Sequence, residues 1–216
     1  MTIGGRHFRI GETTARAKQK QRTRERILAS ARELFSELGY EDTTVRRIAE
    51  HAGVSVGSVI SHFDAKADLL NTIIDEELGH QIEQVRKALP RRGDTADRLL
   101  MALRLFYVYS LELGRLAAVF LAYSWMWSSD ADKAYRERIA EVQAIFGEIL
   151  RDGIARGDVD ADAPIDVAVR ALWAVYIQGL RQPFFDDEDA DTAVTNVEPQ
   201  VLLLLRALRP GGDTGN

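Results

Sequence analysis

An all-helical fold is what this sequence predicts, and three observations carry the prediction. Long segments repeat their apolar residues at the i, i+4, i+7 spacing of a helix face. No segment alternates strictly, as a half-buried strand does. Glycine, proline or a short polar cluster closes most of the periodic runs. There is also no repeat of fixed period, which argues against a solenoid.

The elements follow in order. Ile27, Ala31, Leu34, Phe35 and Leu38 share one face of a first helix expected over residues 23–39, and Gly39 suits its end because glycine tolerates positive φ. A second, short helix begins at Thr43 or Thr44 and is stopped by Gly53. A third starts near Ser55, a good N-cap, and ends near Phe63. After a turn at residues 64–66, a long amphipathic helix runs to about Leu89, closed by Pro90 and Gly93. Asp94 or Thr95 opens the next, on which Leu99, Leu103, Phe106 and Ser110 share a face. Gly114 interrupts, and an apolar, aromatic helix continues through about Trp127. Ser129 or Asp130 caps a helix reaching Arg156, and Pro164 sits in the first turn of another running to about Arg181. The acidic run over residues 186–191 reads as a solvated, mobile loop before a last helix at 194–208.

Composition narrows the chemistry. With 216 residues, 46% hydrophobic, the chain can build a sizeable core. The absence of cysteine excludes disulfide scaffolds, thiolate zinc sites, cysteine nucleophiles and iron–sulfur clusters. Four histidines argue against a histidine-rich metal centre, so neither a metal nor a cofactor is expected. The first residues form no signal peptide and no apolar run is long enough to span a bilayer, so the expectation is a soluble cytoplasmic protein with no membrane partner. Taken as a total, the net charge of −5 speaks against nucleic acid. Divided by segment it does not. Residues 1–70 carry 12 Lys and Arg against 9 Asp and Glu, a net of +3, and the remainder carries 16 against 24, a net of −8. Eight of the basic residues fall in residues 1–26, and such asymmetry hints at a nucleic-acid-binding end. Aromatic residues are skewed the other way, 13 of 17 lying after residue 100. The two parts are built for different tasks.

Residues 44–63, Thr-Val-Arg-Arg-Ile-Ala-Glu-His-Ala-Gly-Val-Ser-Val-Gly-Ser-Val-Ile-Ser-His-Phe, carry the most specific pattern. Small Ala49 lets two helices approach closely, and Gly53 permits a sharp turn between them. Val54, Val59 and Phe63 lock the second helix onto the first, with Val45 and Ile48 completing the small core. Ser55, Gly57, Ser58, Ile60, Ser61 and His62 are then left facing outward, short side chains that let a helix N-terminus approach phosphates and base edges. Two other patterns mimic different chemistry. Gly53-Val-Ser-Val-Gly57 matches a hydrolase nucleophile elbow, but a helix precedes it instead of a strand, and the last histidine is His80. Asp158-Val-Asp-Ala-Asp162 has calcium-loop spacing, but Ala163 and Val169 replace the required glycine and bidentate acid; acids complementing a helix N-terminus explain it better. No catalytic constellation is expected.

From Arg26 through Leu70 the sequence resembles the tetracycline-repressor (TetR) family of transcriptional regulators. The resemblance rests on Ile27, Ala31, Phe35, Gly39, Thr44, the run from Ile48 to Ser58, His62-Phe63, Lys66, Leu69 and Leu70. It implies an all-α protein with an N-terminal three-helix helix-turn-helix DNA-binding domain and a helical ligand-binding and dimerisation domain. The implied boundaries are a basic arm at 1–20, the DNA-binding domain at 21–66, the effector domain at 67–210 and a tail at 211–216. On this resemblance Thr44 would bond phosphate, Ser55, Gly57 and Ser58 would lie at the major groove, His62 would touch backbone and Lys66 would meet phosphate. Arg46 is not fixed by the motif and is a candidate for groove or phosphate. Ile60 stands where relatives commonly carry Tyr; an apolar side chain there suits a thymine methyl instead.

The aromatic second part suggests a mostly apolar cavity for a hydrophobic or aromatic small molecule, although ordinary core packing accounts for most large side chains. Phe106, Tyr109, Tyr123, Trp127, Phe146, Trp173 and Tyr176 are the candidate lining residues, with Arg104, Glu112, Gln143 and Gln178 as unplaced polar candidates. The last two long helices carry wide apolar faces, Val167, Ala171, Ala174 and Val175 on one and Val201, Leu204, Leu205 and Leu208 on the other. By resemblance this pair forms a homodimer interface, presenting two recognition helices to a palindromic operator. The expected function is a repressor released by its ligand, with residues 66–89 as the connecting helix. The alternative is a helix-turn-helix module whose second domain binds a protein partner.

Overall fold

The computed structural model describes residues 10–124 and 129–211, with the side chains of residues 10–14, 115, 123–124, 129–132 and 134 outside the description. Among these residues there are ten α-helices and no strand: α1 (Ile10–Leu38), α2 (Val45–Ala52), α3 (Val56–Ile60), α4 (Lys66–Ala88), α5 (Thr95–Glu112), α6 (Arg115–Ser124), α7 (Ser129–Arg156), α8 (Ile165–Gly179), α9 (Arg181–Asp186) and α10 (Ala190–Ala207). The chain divides into two compact units, up to Ile73 and from Ile74.

In the first unit Ile27, Ala31 and Phe35 of α1 are buried with Ile48, Ala49, Val59 and Phe63. Buried Thr43 ties the connection after α1, its hydroxyl donating to Gly39 O at 2.8 Å and to Leu34 O at 3.1 Å. Helix α1 begins at Ile10, so the expected arm is helical over residues 10–20. After Gly11 this stretch is free of glycine and proline and rich in Ala, Arg, Lys and Gln, strong helix formers. Residues 15–22 are exposed, so no buried stripe marks the helix in the sequence. Helix α3 is shorter than expected. It gives way to a turn at Ser61, whose hydroxyl bonds back to Ser58 O at 2.8 Å.

In the second unit α5, α7, α8 and α10 pack together around buried Phe106, Tyr107, Phe146 and Tyr176. Three expectations change here. Helix α8 stops at Gly179 and restarts as α9, because Pro183 has no N–H to give the carbonyl four residues earlier. The acidic run is solvent-exposed as expected, but only residues 187–189 lie outside helices, and two of its acids have fixed partners. Asp189 caps α10, accepting from Thr192 N–H at 2.8 Å, and Asp191 grips the guanidinium of Arg104. These partners hold both carboxyls below the ordinary aspartate range, through hydrogen bonds with Thr192 and Arg104 respectively. Asp158 serves a different helix start from the one its spacing suggested. Its carboxylate accepts from Thr95 Oγ1, at the first turn of α5, and from Arg156 Nε, both at 3.0 Å. Val201, Leu205 and Leu208 of the expected dimer face are buried within their own unit, while Val167 of that face, and Leu203, which was not counted in it, stay exposed.

Candidate functional site

The helix-turn-helix is built around one backbone reversal. Gly53 closes α2 in the left-handed region at φ 62°, and its N–H reaches back to Ala49 O and Glu50 O. Val54 N–H follows to Ala49 O at 2.9 Å, and Ser55 then caps α3 by accepting from Ser58 N–H at 3.1 Å. Arg26 of α1 secures the turn from behind, its guanidinium donating to Ala52 O and, at 3.3 Å, to Gly53 O. Nothing local in the sequence pairs Arg26 with carbonyls 26 and 27 residues away.

The sequence-predicted DNA residues fall on one connected stretch with different degrees of freedom. Ser55 and Gly57 are exposed, Ser58 and His62 are half-buried, and Ile60 is 54% exposed. Thr44 caps α2, accepting from Arg47 N–H at 3.2 Å, and its own hydroxyl hydrogen stays available to a phosphate. Arg46 is exposed and paired along the helix with Glu50 at 3.0 Å. Lys66 donates to Tyr40 O at 2.7 Å and to Glu41 O at 3.3 Å, and sits 4.1 Å from the centre of the Tyr40 ring. An ammonium has three donors, so Lys66 fastens the loop after α1 and keeps one for another acceptor.

The second unit holds an apolar cavity of about 40 Å³, the inner part of a pocket of about 480 Å³ when its opening to solvent is included. Of the seven predicted lining residues, Phe106, Trp173 and Tyr176 reach it. Phe146 instead packs edge-on to Phe106 at 5.9 Å in the core, and Tyr109 lies outside the lining. Tyr123 and Trp127 lie outside the described side chains. Residues the sequence did not single out complete the wall. Leu78 and Gln81 come from α4, Phe120 from α6, and Tyr135, Ile139 and Val142 from α7. Their signal was helical spacing alone, which does not separate cavity wall from core. Ser110 and Tyr176 bond through their hydroxyls at 2.7 Å, and burial holds the Tyr176 phenol above its ordinary pKa, so it stays neutral. The polar candidates fare otherwise. Arg104 is spent on Asp191, Glu112 is exposed, and Gln178 lines a surface groove between α8 and α10.

Two bidentate ion pairs fasten α4 to α7 beside this cavity. Arg138 holds Asp75 at 2.9 and 3.0 Å, and Arg86 holds Glu148 at 2.7 and 3.0 Å. As partly exposed pairs they add little stability, but their paired bonds fix the helices' relative direction.

Residues 27–73 match the family model described as bacterial regulatory proteins, tetR family. Over the length of the chain, the fatty acid metabolism regulator protein of Bacillus subtilis is 24% identical across 191 residues, 86% of this chain and 96% of that protein. The transcriptional repressor AcnR of Corynebacterium diphtheriae is 29% identical over 159 residues, 67% of this chain and 72% of the repressor. The crystal structure of B. subtilis FadR with stearoyl-CoA shares the fold, with a TM-score of 0.68 and 20% identity over 86% of this chain and 99% of that one. The helix-turn-helix with its glycine turn and the matched family segment are thus one and the same stretch, and the chain belongs to the tetR family of DNA-binding transcriptional regulators.

Proposed function

We propose that this regulator is a cytoplasmic repressor that binds a palindromic operator as a homodimer and is released by an apolar small molecule. The observation that carries the reading is that α4 contributes both to the unit bearing the helix-turn-helix and to the wall of the apolar cavity. Thr44, Arg46, Ser55, Gly57, Ser58, Ile60, His62 and Lys66 supply the DNA contacts. Thr44 and Lys66 serve phosphate, and Ile60 offers an apolar surface to a thymine methyl. The exposed Val167 on α8 and Leu203 on α10, with the groove between these helices, support a face for a second copy. B. subtilis FadR, crystallised with stearoyl-CoA, supports a ligand with a substantial apolar part. At about 40 Å³ the interior space is too small for such a molecule, so binding requires the cavity's walls to separate. Moving α4 is the coupling step. A coupling free energy of about 1–3 kcal/mol lowers operator affinity roughly 5- to 150-fold.

Selection of bound duplexes from a random pool by the purified full chain tests the DNA side. The expected product is an inverted repeat whose half-site centres lie about one helical turn or more apart, occupied by two or more chains. Recovery of a single unrepeated site bound by one chain would overturn the dimer reading.

A further inference from the structure

The cavity wall contains one group that its apolar setting does not explain. Gln81 of α4 is 2% exposed, and its side-chain oxygen has no hydrogen-bond partner in the protein. A buried carbonyl oxygen left without a donor is destabilising, and native interiors hold few of them. Ordinary core packing favours leucine or methionine here, since α4 already contributes Leu78 and Ile74 to the same wall. The other buried polar groups of the wall are differently placed, because the Ser110 and Tyr176 hydroxyls satisfy each other at 2.7 Å. Gln81 is left with an unpaired carbonyl oxygen on a residue that lines the cavity.

We infer that Gln81 is the polar anchor of the effector, and that the effector is a neutral, largely apolar molecule carrying a hydroxyl group. This rests on the reading of the cavity as the effector site and specifies its chemistry. A hydroxyl donates, which is what the unpaired Gln81 oxygen lacks. An ionised carboxylate does not fit. None of the sixteen lining residues carries a charge, and a buried anion without a cation or several donors is strongly disfavoured. A bare alkyl or aryl group fits the walls and leaves Gln81 unpaired. Aromatic neighbours Phe106, Phe120, Tyr135 and Trp173 suit a ring next to the anchor.

Three probes of nearly equal shape separate these cases: 4-butylphenol, butylbenzene and 4-butylbenzoate, titrated calorimetrically into the full-length protein at pH 8. The phenol is expected to bind at least tenfold more tightly than either of the others. In Gln81→Leu its affinity falls about tenfold, to the level of butylbenzene, while butylbenzene is unaffected. The substitution removes an unsatisfied carbonyl oxygen, so the melting temperature holds or rises, and loss of folding does not imitate the result. A benzoate that binds as well as the phenol, a phenol preference that survives Gln81→Leu, or no saturable binding by any probe would overturn the assignment. Operator release is scored separately. A compound that releases DNA without the phenol preference sinks only the anchor. Phenol binding through Gln81 that leaves operator affinity unchanged sinks the ligand-released repressor and leaves the anchor standing.

Discussion

Gly179→Ala is expected to lower the melting temperature by about 5–10 °C, against the usual gain from placing alanine in a helix. A Cβ on Gly179 lies 2.2 Å from Tyr107 Oη and 2.7 Å from Val197 Cγ1. Neither neighbour is free to give way. Tyr107 is fully buried and donates to Tyr176 O at 3.3 Å, and Val197 is held in the core on α10. Close approach of α8 to α5 and α10 therefore depends on the missing side chain. Helix propensity favours alanine by at most about 1 kcal/mol, whereas overpacking a tight interior costs about 1–3 kcal/mol. Thermal denaturation decides the sign. The second substitution Tyr107→Phe removes the nearest clashing atom and is expected to recover part of the loss in Gly179→Ala. A melting temperature that rises in the single variant would show that the three helices have slack.

Gly53→Val is expected to weaken operator binding roughly tenfold or more while Gly53→Asn retains most of it. The position stands at φ 62°, where asparagine is tolerated and a β-branched residue is strongly disfavoured. A Cβ also comes within 3.2 Å of Arg26 Nη2, the group that holds the Ala52 and Gly53 carbonyls. Strain of about 1–3 kcal/mol is enough to shift the turn and carry α3 out of register with the groove, a loss of roughly tenfold or more in DNA affinity. Electrophoretic mobility shift with the selected duplex measures it. Equal binding by the valine and asparagine variants would mean that the backbone reversal at Gly53 does not set the position of α3.

These two glycines mark how far the sequence was legible. Gly53 was readable because its role is local, a sharp turn between two short apolar runs. Gly179 was not, because its constraint comes from Tyr107 and Val197, brought in by two other helices. The same division runs through the site. Caps such as Thr44, Ser55, Asp94 and Asp189 act on residues three positions on; Ser55 was anticipated singly, and Thr44 and Asp94 each as one of two neighbouring candidates. The last was hidden in an acidic run that looked like a solvated loop, because its companion Asp191 finds Arg104 only in three dimensions. Half of α1 was missed for the opposite reason: an exposed helix of good helix formers has no buried stripe. In the cavity, Phe106, Trp173 and Tyr176 were visible as large aromatics, whereas Gln81 looked like one more polar position on an amphipathic helix. Burial, which the sequence does not display, is what makes it informative.

The role of α3 as the DNA-reading element is tested most directly by Ser58→Glu. Ser58 is the third residue of α3, so a glutamate there completes a capping box with Ser55 and favours the fold. It also sets a carboxylate among the phosphates of any duplex that α3 approaches. Fluorescence anisotropy with the selected duplex, at two salt concentrations, gives the readout. The expected result is a salt-sensitive wild-type affinity and a loss of about 100-fold in Ser58→Glu, with the melting temperature unchanged or higher. Wild-type affinity in the folded Ser58→Glu variant would contradict the assignment of α3 to the major groove.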